Sequence, residues 1–188
     1  VRYPNEELEA ASPFRTTPMY GIHKSNNAVF GATVGIEHPL WFAPDGVTPV
    51  EDVTFRRSNA FAVVASECNA VRSGVGIIET STFAKLEVTG VGARGWLDGI
   101  LAGRIPKPGR TALNPMLNAA GKVIGDFTVS CLSDERFFIF GSGVAETYHM
   151  RLFEAALPDN GVTIRAHGLD LVGLSIAGPK SIDVLAEL

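Results

Sequence analysis

The sequence predicts an α+β fold in which an antiparallel sheet packs against helices. Two strand-like runs, residues 111–117 and 122–132, flank a turn of hairpin length at residues 118–121. Residues 144–157 have the pattern of an amphipathic helix, and turn-forming residues 158–161 end it. Hairpins mixed with helices are typical of α+β folds, whereas a doubly wound fold would alternate single strands with helices.

The other elements follow from hydrophobic periodicity and from turn residues. A helix is expected over residues 92–102, where Trp96, Leu97, Ile100 and Leu101 recur at helical spacing. Residues 59–65 could be a strand or the start of a helix, and residues 67–73 could form one or two helical turns ending at Gly74. Pro179 suits the first turn of a last helix. The remaining predicted strands are residues 76–81, 83–89, 136–140, 162–165 and 171–176.

The first 54 residues have a different character. Residues 1–20 are charged and contain three prolines, and residues 21–54 are rich in glycine and proline without a long periodic segment. We interpret residues 1–54 as a loop-rich connector with turns and a short strand, in which Trp41 and Phe42 form a small satellite core. Residues 55–188 then form the main domain, and we expect that domain to be truncated at its C-terminal end.

Composition excludes several classes of protein. The chain has 188 residues with 46% hydrophobic and 19% charged residues, which is typical of a folded domain with a real core. The net charge of −4, without a basic stripe, argues against a nucleic-acid partner. No apolar run approaches the length that crosses a membrane. Two distant cysteines exclude a disulfide scaffold and fit a reducing compartment. Because Val1 is not an initiator methionine, we expect a piece of a longer chain.

Three familiar catalytic or binding patterns are weak here. Residues 90–95 read G-V-G-A-R-G, but the acidic residue that a dinucleotide site needs about 20 positions later is missing, which favours a simple strand-to-helix turn. The four histidines form no spaced pair and lie far from the cysteines, so no metal site is predicted. Residues 141–143 lack the spacing of a nucleophile elbow.

Asp126 is the most informative carboxylate in the sequence. It lies in a strand where Val123, Gly125, Phe127 and Val129 alternate with Ile124, Asp126, Thr128 and Ser130. A carboxylate in the middle of an otherwise apolar strand is costly unless it faces a cleft or a partner. Gly125 beside it would allow a ligand or a backbone segment to approach closely. Asp126 is therefore either functional or a solvent-facing residue of a half-exposed sheet.

An ordered series of short motifs resembles the flavin-dependent dimethylglycine and sarcosine dehydrogenases along essentially the whole chain. The resemblance begins with the connector segments YPNEE at 3–7 and PFRTTPMY at 13–20, and with the loop at 34–42, where Ile36 replaces the family's tryptophan. The later two-thirds also resembles the first part of the aminomethyltransferase of the glycine cleavage system, the T-protein. The further matching segments are residues 55–59, 80–85, 105–107, 116–118, 128–130, 141–143 and 176–179.

This resemblance implies the first lobe of a three-lobed fold that binds tetrahydrofolate in its central opening. Asp126 matches the family's key acid, Phe83 and Leu113 match positions that line the pterin pocket, and Gly141 stands where the T-protein has a pterin-contacting asparagine. Because glycine has no side chain, any contact at position 141 would use the backbone. The family further implies FAD in an upstream domain outside this chain, an N-methylated amine as the other substrate, and a cytoplasmic location, or the mitochondrial matrix in a eukaryote.

The sequence is also compatible with two other functions. A stand-alone aminomethyltransferase would share the later motifs, but the connector at residues 1–20 argues against it because such an enzyme has no upstream domain to join. A non-catalytic folate-binding or interaction module would keep the fold without the reaction. The isolated piece is expected to be inactive, and the sequence does not distinguish sarcosine from dimethylglycine.

Overall fold

A computed structural model describes residues 9–188, which form two compact units. The first unit contains residues 9–81 together with Val172–Leu188, and the second contains Thr82–Leu171. The connector motif predicted at residues 3–7 lies outside the described residues. The elements, in chain order, are β1 Arg15–Thr16, α1 Tyr20–Ser25, β2 Ala28–Thr33, β3 Ile36–Phe42, α2 Ala60–Ser73, β4 Gly76–Glu79, β5 Ala84–Thr89, α3 Ala93–Ile100, β6 Arg110–Leu117, β7 Val123–Ser133, β8 Arg136–Gly141, α4 Glu146–Ala155, β9 Thr163–Ala166, β10 Leu174–Ala177 and α5 Ser181–Leu185.

The first unit is built on a three-stranded sheet in the order β1-β3-β2 and a separate antiparallel pair, β4 and β10. β2 and β3 form a hairpin whose two turn residues, Val34 and Gly35, have φ angles of 53° and 73°. Two consecutive positive φ angles match the twist of a two-residue hairpin. A small core of Val29, Trp41, Ala43 and Ala60 lies in this unit. The predicted satellite core is therefore confirmed for Trp41, whereas Phe42 does not belong to this core.

The structure of residues 21–54 is more regular than the sequence predicts. Glycine and proline suggested loops and turns, whereas the structure has the rest of α1 and two strands of six and seven residues. Pro39 is tolerated inside β3 because β1 pairs with this strand only at Ile36 and Glu37. The assignment of residues 1–54 as a connector to another domain stays a prediction.

The second unit is a five-stranded antiparallel sheet in the order β6-β7-β8-β5-β9. Side chains alternate between its faces, as the period of two requires. One face is buried, and it carries Phe127 and Val129 of β7, Phe137 and Ile139 of β8, and Leu86 and Val88 of β5. This confirms the antiparallel hairpin at residues 118–121 and the alternation predicted for β7.

Helices α3 and α4 supply side chains to the core of the second unit. Each buries two residues four positions apart, Ala93 with Leu97 and His149 with Phe153, which puts both on one helix face. The Trp96 indole nitrogen donates a 2.6 Å hydrogen bond to the Ala156 carbonyl at the end of α4.

The ambiguous stretch at residues 59–73 is helical. α2 runs without a break from Ala60 to Ser73, so the helical alternative at residues 59–65 is correct and the strand alternative is wrong. Across residues 9–188 there is no helix with the length and apolar character needed to span a bilayer.

Candidate functional site

Asp126 lies on the face of the five-stranded sheet opposite its core, here called the site face. Its neighbours in β7, Gly125 and Phe127, are buried, whereas Asp126 and Thr128 are exposed. Since β7 is flanked by β6 and β8, the carboxylate projects from an interior strand and not from a sheet edge. The predicted alternation is therefore confirmed, with the carboxylate on the open side.

Strand register brings Leu113 onto the same face. Leu113 pairs with Thr128, Thr128 pairs with Phe140, and Phe140 pairs with Lys85, so these four residues form one row across the sheet. Residues directly opposite in antiparallel strands have neighbouring side chains on the same face. Leu113 is 71% exposed, an unusual exposure for a leucine in the middle of a strand.

Phe83 and Gly141 lie where β5 begins and β8 ends. Phe83 directly precedes β5, is 52% exposed, and accepts a 2.9 Å hydrogen bond at its carbonyl from the Lys85 ammonium group. Gly141 pairs with Ala84, and a Cβ atom on it would lie 2.9 Å from the Phe127 ring. Any side chain at position 141 would therefore press into the core, which leaves only the backbone for a contact on the site face.

Charged residues of β5 complete the site face, and the sequence analysis did not single them out. Lys85 is 3% exposed although its stem lies on the side away from the apolar core. Glu87 accepts hydrogen bonds from Arg136 at 2.7 Å and from His167 at 2.9 Å. The Arg136 hydrogen bond, followed by that from His167, holds the pKa of Glu87 below its ordinary value of 4.5.

A signal for these residues exists in the sequence. Lys85, Glu87 and Thr89 occupy every second position of β5 and alternate with buried Leu86 and Val88. That pattern predicts a polar face, but the partners of Glu87 lie 49 and 80 positions away and depend on strand pairing. The stacking of Phe138 on Phe140, with ring centroids 6.0 Å apart, follows instead from their spacing of two within β8, which puts both rings on one face.

Gly125 serves the core and not a ligand. A Cβ atom at this position would lie 2.8 Å from the His149 ring nitrogen and 2.8 Å from the Phe127 ring. The close approach expected beside Asp126 is therefore made by α4. His149 is buried, and its Nε2 is 2.9 Å from the Ile124 carbonyl, so it acts as a core histidine.

The weak sequence patterns have structural explanations. A Cβ atom on Gly90 would collide with the Gly161 carbonyl, and one on Gly92 would lie 3.2 Å from Val162. These glycines are needed for chain packing at the start of α3, which supports a strand-to-helix turn. Within residues 9–188 no three His, Cys, Asp or Glu side chains are grouped to hold a metal ion.

The fold is α+β, and one face of its larger sheet carries the exposed Asp126 beside exposed apolar side chains. The model of the GCVT N-terminal domain matches residues 19–188, and the chain therefore belongs to the GCVT N-terminal domain family.

Two curated relatives match the chain over all or nearly all of its length. It is 34% identical over 191 residues to the mitochondrial dimethylglycine dehydrogenase of Rattus norvegicus, which covers all of this chain and 22% of that protein. It is 30% identical over 188 residues to sarcosine oxidase subunit alpha of Corynebacterium sp. strain P-1, covering 96% of this chain and 18% of that one. The chain thus spans about a fifth of the length of these relatives.

A solved structure has the same fold. The glycine cleavage system aminomethyltransferase T of Bartonella henselae superposes with a TM-score of 0.75 at 22% sequence identity. The match covers 92% of this chain and 43% of that one, which confirms the α+β aminomethyltransferase fold predicted from the sequence.

Proposed function

We propose that this chain is the tetrahydrofolate-binding part of a flavin-dependent dehydrogenase for dimethylglycine or sarcosine. In this proposal an upstream portion of the full-length protein binds FAD and oxidises the N-methylated amine. The one-carbon unit then passes to tetrahydrofolate, giving 5,10-methylenetetrahydrofolate. The similarity to a dimethylglycine dehydrogenase and a sarcosine oxidase subunit over nearly the whole chain supports this assignment.

The observation that carries the proposal is the exposure of Asp126 on the site face. Its carboxylate projects from an interior strand beside the buried Phe127 and is open to solvent, so a ligand lying on the site face can reach it. The exposed Leu113 in β6 adds an apolar surface on the same face. An acid beside apolar side chains fits a flat, polar-edged ring such as a pterin.

Each residue has a distinct task in this proposal. The Asp126 carboxylate accepts hydrogen bonds from ring N–H groups, orients the ring, and can take up or return a proton. Its negative charge also stabilises positive charge that develops near it during the transfer. Leu113 and Phe83 contact the ring faces, and Gly141 contributes backbone atoms only. When bound, tetrahydrofolate supplies the nitrogen atoms that accept the one-carbon unit.

The partners and location follow the same proposal. The substrates are a reduced folate and an N-methylated amine, and the neighbouring partner is the flavin domain of the same protein. We place the protein in the mitochondrial matrix of a eukaryote or in the cytoplasm of a bacterium, and the mitochondrial dimethylglycine dehydrogenase among its relatives supports the first of these.

The test is Asp126→Asn in the full-length enzyme. The amide keeps the shape of the side chain but loses its charge and its basicity. We expect the flavin to be reduced at the normal rate, while folate-coupled product falls by about 10²–10⁴-fold, the usual contribution of a general acid–base group. The released iminium would then hydrolyse to formaldehyde. The measurement is the ratio of methylenetetrahydrofolate to formaldehyde in wild type and variant.

Asp98→Asn is the matched control, because Asp98 is an exposed aspartate of the same unit on helix α3. This variant should keep the wild-type product ratio. An unchanged ratio in Asp126→Asn, with normal flavin reduction, would reduce Asp126 to a scaffold residue and leave the proposal without its catalytic group.

A further inference from the structure

Glu79, at the end of β4 in the first unit, is a buried carboxylate with an incomplete set of partners. Its side chain is 3% exposed. One oxygen, Oε2, accepts a 2.8 Å hydrogen bond from the Thr17 hydroxyl and another of 2.8 Å from Nε2 of His23. The other oxygen, Oε1, is buried and has no hydrogen-bond partner among the described residues. Such a group is costly to bury unless something compensates it.

The charge of this carboxylate is only weakly balanced by the protein. Across residues 9–188, the one cationic group within ion-pairing distance is the imidazole of His23, which is charged only when protonated. With His23 neutral, Nε2 carries the proton that it donates to Glu79, and Nδ1 is left as an acceptor. The Thr17–His23–Glu79 group then has a net charge of −1.

His23 and Glu79 line a cleft formed entirely by residues of the first unit. The cleft has a volume of about 650 Å³, within the range of small-molecule sites. Its other walls are largely apolar and aromatic. They include Met19, Phe42, Ile77 and Leu174.

The chemistry of the walls selects one class of ligand. A divalent metal ion would need several carboxylate, imidazole or thiolate ligands, and no such group of three exists within residues 9–188. An anion would be repelled by Glu79. A small organic cation would balance the buried charge, donate an N–H group to His23 Nδ1, and place its carbon atoms against the aromatic ring of Phe42.

We propose that this cleft binds a small alkylammonium ion, recognised by the negative charge of Glu79 and the free acceptor of His23. The site lies in a different unit from Asp126 and does not depend on folate binding. Thr17 is a positioning residue for the carboxylate, His23 contacts the ligand directly, and Met19, Phe42 and Leu174 set the size of the alkyl group.

The experiment uses full-length protein labelled with ¹³C at the methionine methyl groups. Met19 lines the cleft, whereas Met116 and Met150 belong to the second unit and serve as internal references. Met19→Leu assigns the Met19 signal. Isopropylammonium chloride is titrated at constant ionic strength, with isopropanol as a neutral molecule of the same shape. We expect a saturable shift of the Met19 methyl signal with the ammonium ion and none with the alcohol.

Glu79→Gln keeps an oxygen for Thr17 and His23 but removes the charge, so it should weaken binding at least 10-fold. His23→Gln tests the second contact and should also weaken it. Glu51→Gln is the matched control, because Glu51 accepts a hydrogen bond from Ser58 in the same unit but does not line the cleft. Equal shifts with isopropanol, no shift of Met19 at all, or unchanged affinity in Glu79→Gln with intact reference signals would overturn the proposal.

Discussion

Glu87 shows how one residue on the site face can couple its protonation to folding. The carboxylate joins Arg136 of β8 to His167, which follows β9, so it links both strands that flank β5. These two hydrogen bonds lower its pKa in the folded state, with Arg136 as the larger cause. A carboxyl group whose pKa is lowered by folding stabilises the folded state above its unfolded pKa, and that stabilisation is lost as the pH falls through the lowered value.

We therefore predict a pH-dependent loss of local stability that depends on Glu87. Between about pH 6 and about pH 3, amide protection in β5 and β8 should fall more steeply in wild type than in Glu87→Gln. Hydrogen exchange measured by mass spectrometry at matched pH values gives the comparison, and pairing the two proteins at each pH cancels the intrinsic exchange rate. Glu154→Gln, an exposed glutamate of α4, should behave as wild type. Parallel pH curves for wild type and Glu87→Gln would contradict the prediction.

Among single residues of interest, some could be identified from the sequence and others could not. Asp126 was identified because its neighbours alternate strictly, so its face follows from its own strand. Glu79 and Glu87 could not be identified in this way. The environment of Glu79 requires Thr17 and His23, which lie 62 and 56 positions away. Pairing across such distances is a property of the fold and not of a local pattern.

The turn of the β2–β3 hairpin contains a β-branched residue with a positive φ angle. Val34 adopts a φ angle of 53° and is exposed, although β-branched residues are strongly disfavoured in this region. The following Gly35 suits its own φ angle of 73°. An asparagine before glycine is the favoured pair in this type of turn.

Val34→Asn should therefore stabilise the protein by about 1 kcal/mol, the usual cost of a left-handed residue that carries a bulky side chain. The measurement is the thermal or urea unfolding of the transition that includes the first unit. Val47→Asn is the control, because Val47 is also an exposed valine of that unit but does not have a positive φ angle. Equal or lower stability of Val34→Asn would show that Val34 is not strained.

Elements were predictable where a strong local pattern exists. β7 follows from alternation, β8 from a short apolar run after a turn, and α3 from four apolar residues at helical spacing. α2 stayed ambiguous because its sequence is rich in small apolar residues that fit either period. Only one short strand was predicted where β2 and β3 lie, because Gly31 and Pro39 lie inside them and such residues ordinarily mark loops.

On the scale of the whole molecule, the candidate folate site is open on one side. Leu113, Phe83 and Asp126 are all exposed among the residues described. A ligand held by one wall does not regain the cost of being ordered. We therefore predict that residues 1–188 alone bind tetrahydrofolate at least 100-fold more weakly than the full-length protein.

Calorimetry of both proteins with tetrahydrofolate tests this prediction. Circular dichroism must first show that the shorter chain is folded, so that weak binding is not caused by unfolding. Comparable affinities would mean that one lobe is sufficient, and the proposed site would then have to be closed by residues of this chain.

The alternation in β7 also determines which changes of sequence this strand can tolerate during evolution. Residues at odd-numbered positions from Gly125 to Cys131 are buried in the core, while those at even-numbered positions in between lie on the opposite face of the sheet. Substitutions at even positions can therefore change the exposed surface of the strand without disturbing the interior. A deletion of one residue within the strand would instead exchange the two sets, placing Phe127 in solvent and Asp126 in the interior. Descendants of this gene should therefore accumulate point changes in β7 and exclude single-codon deletions there.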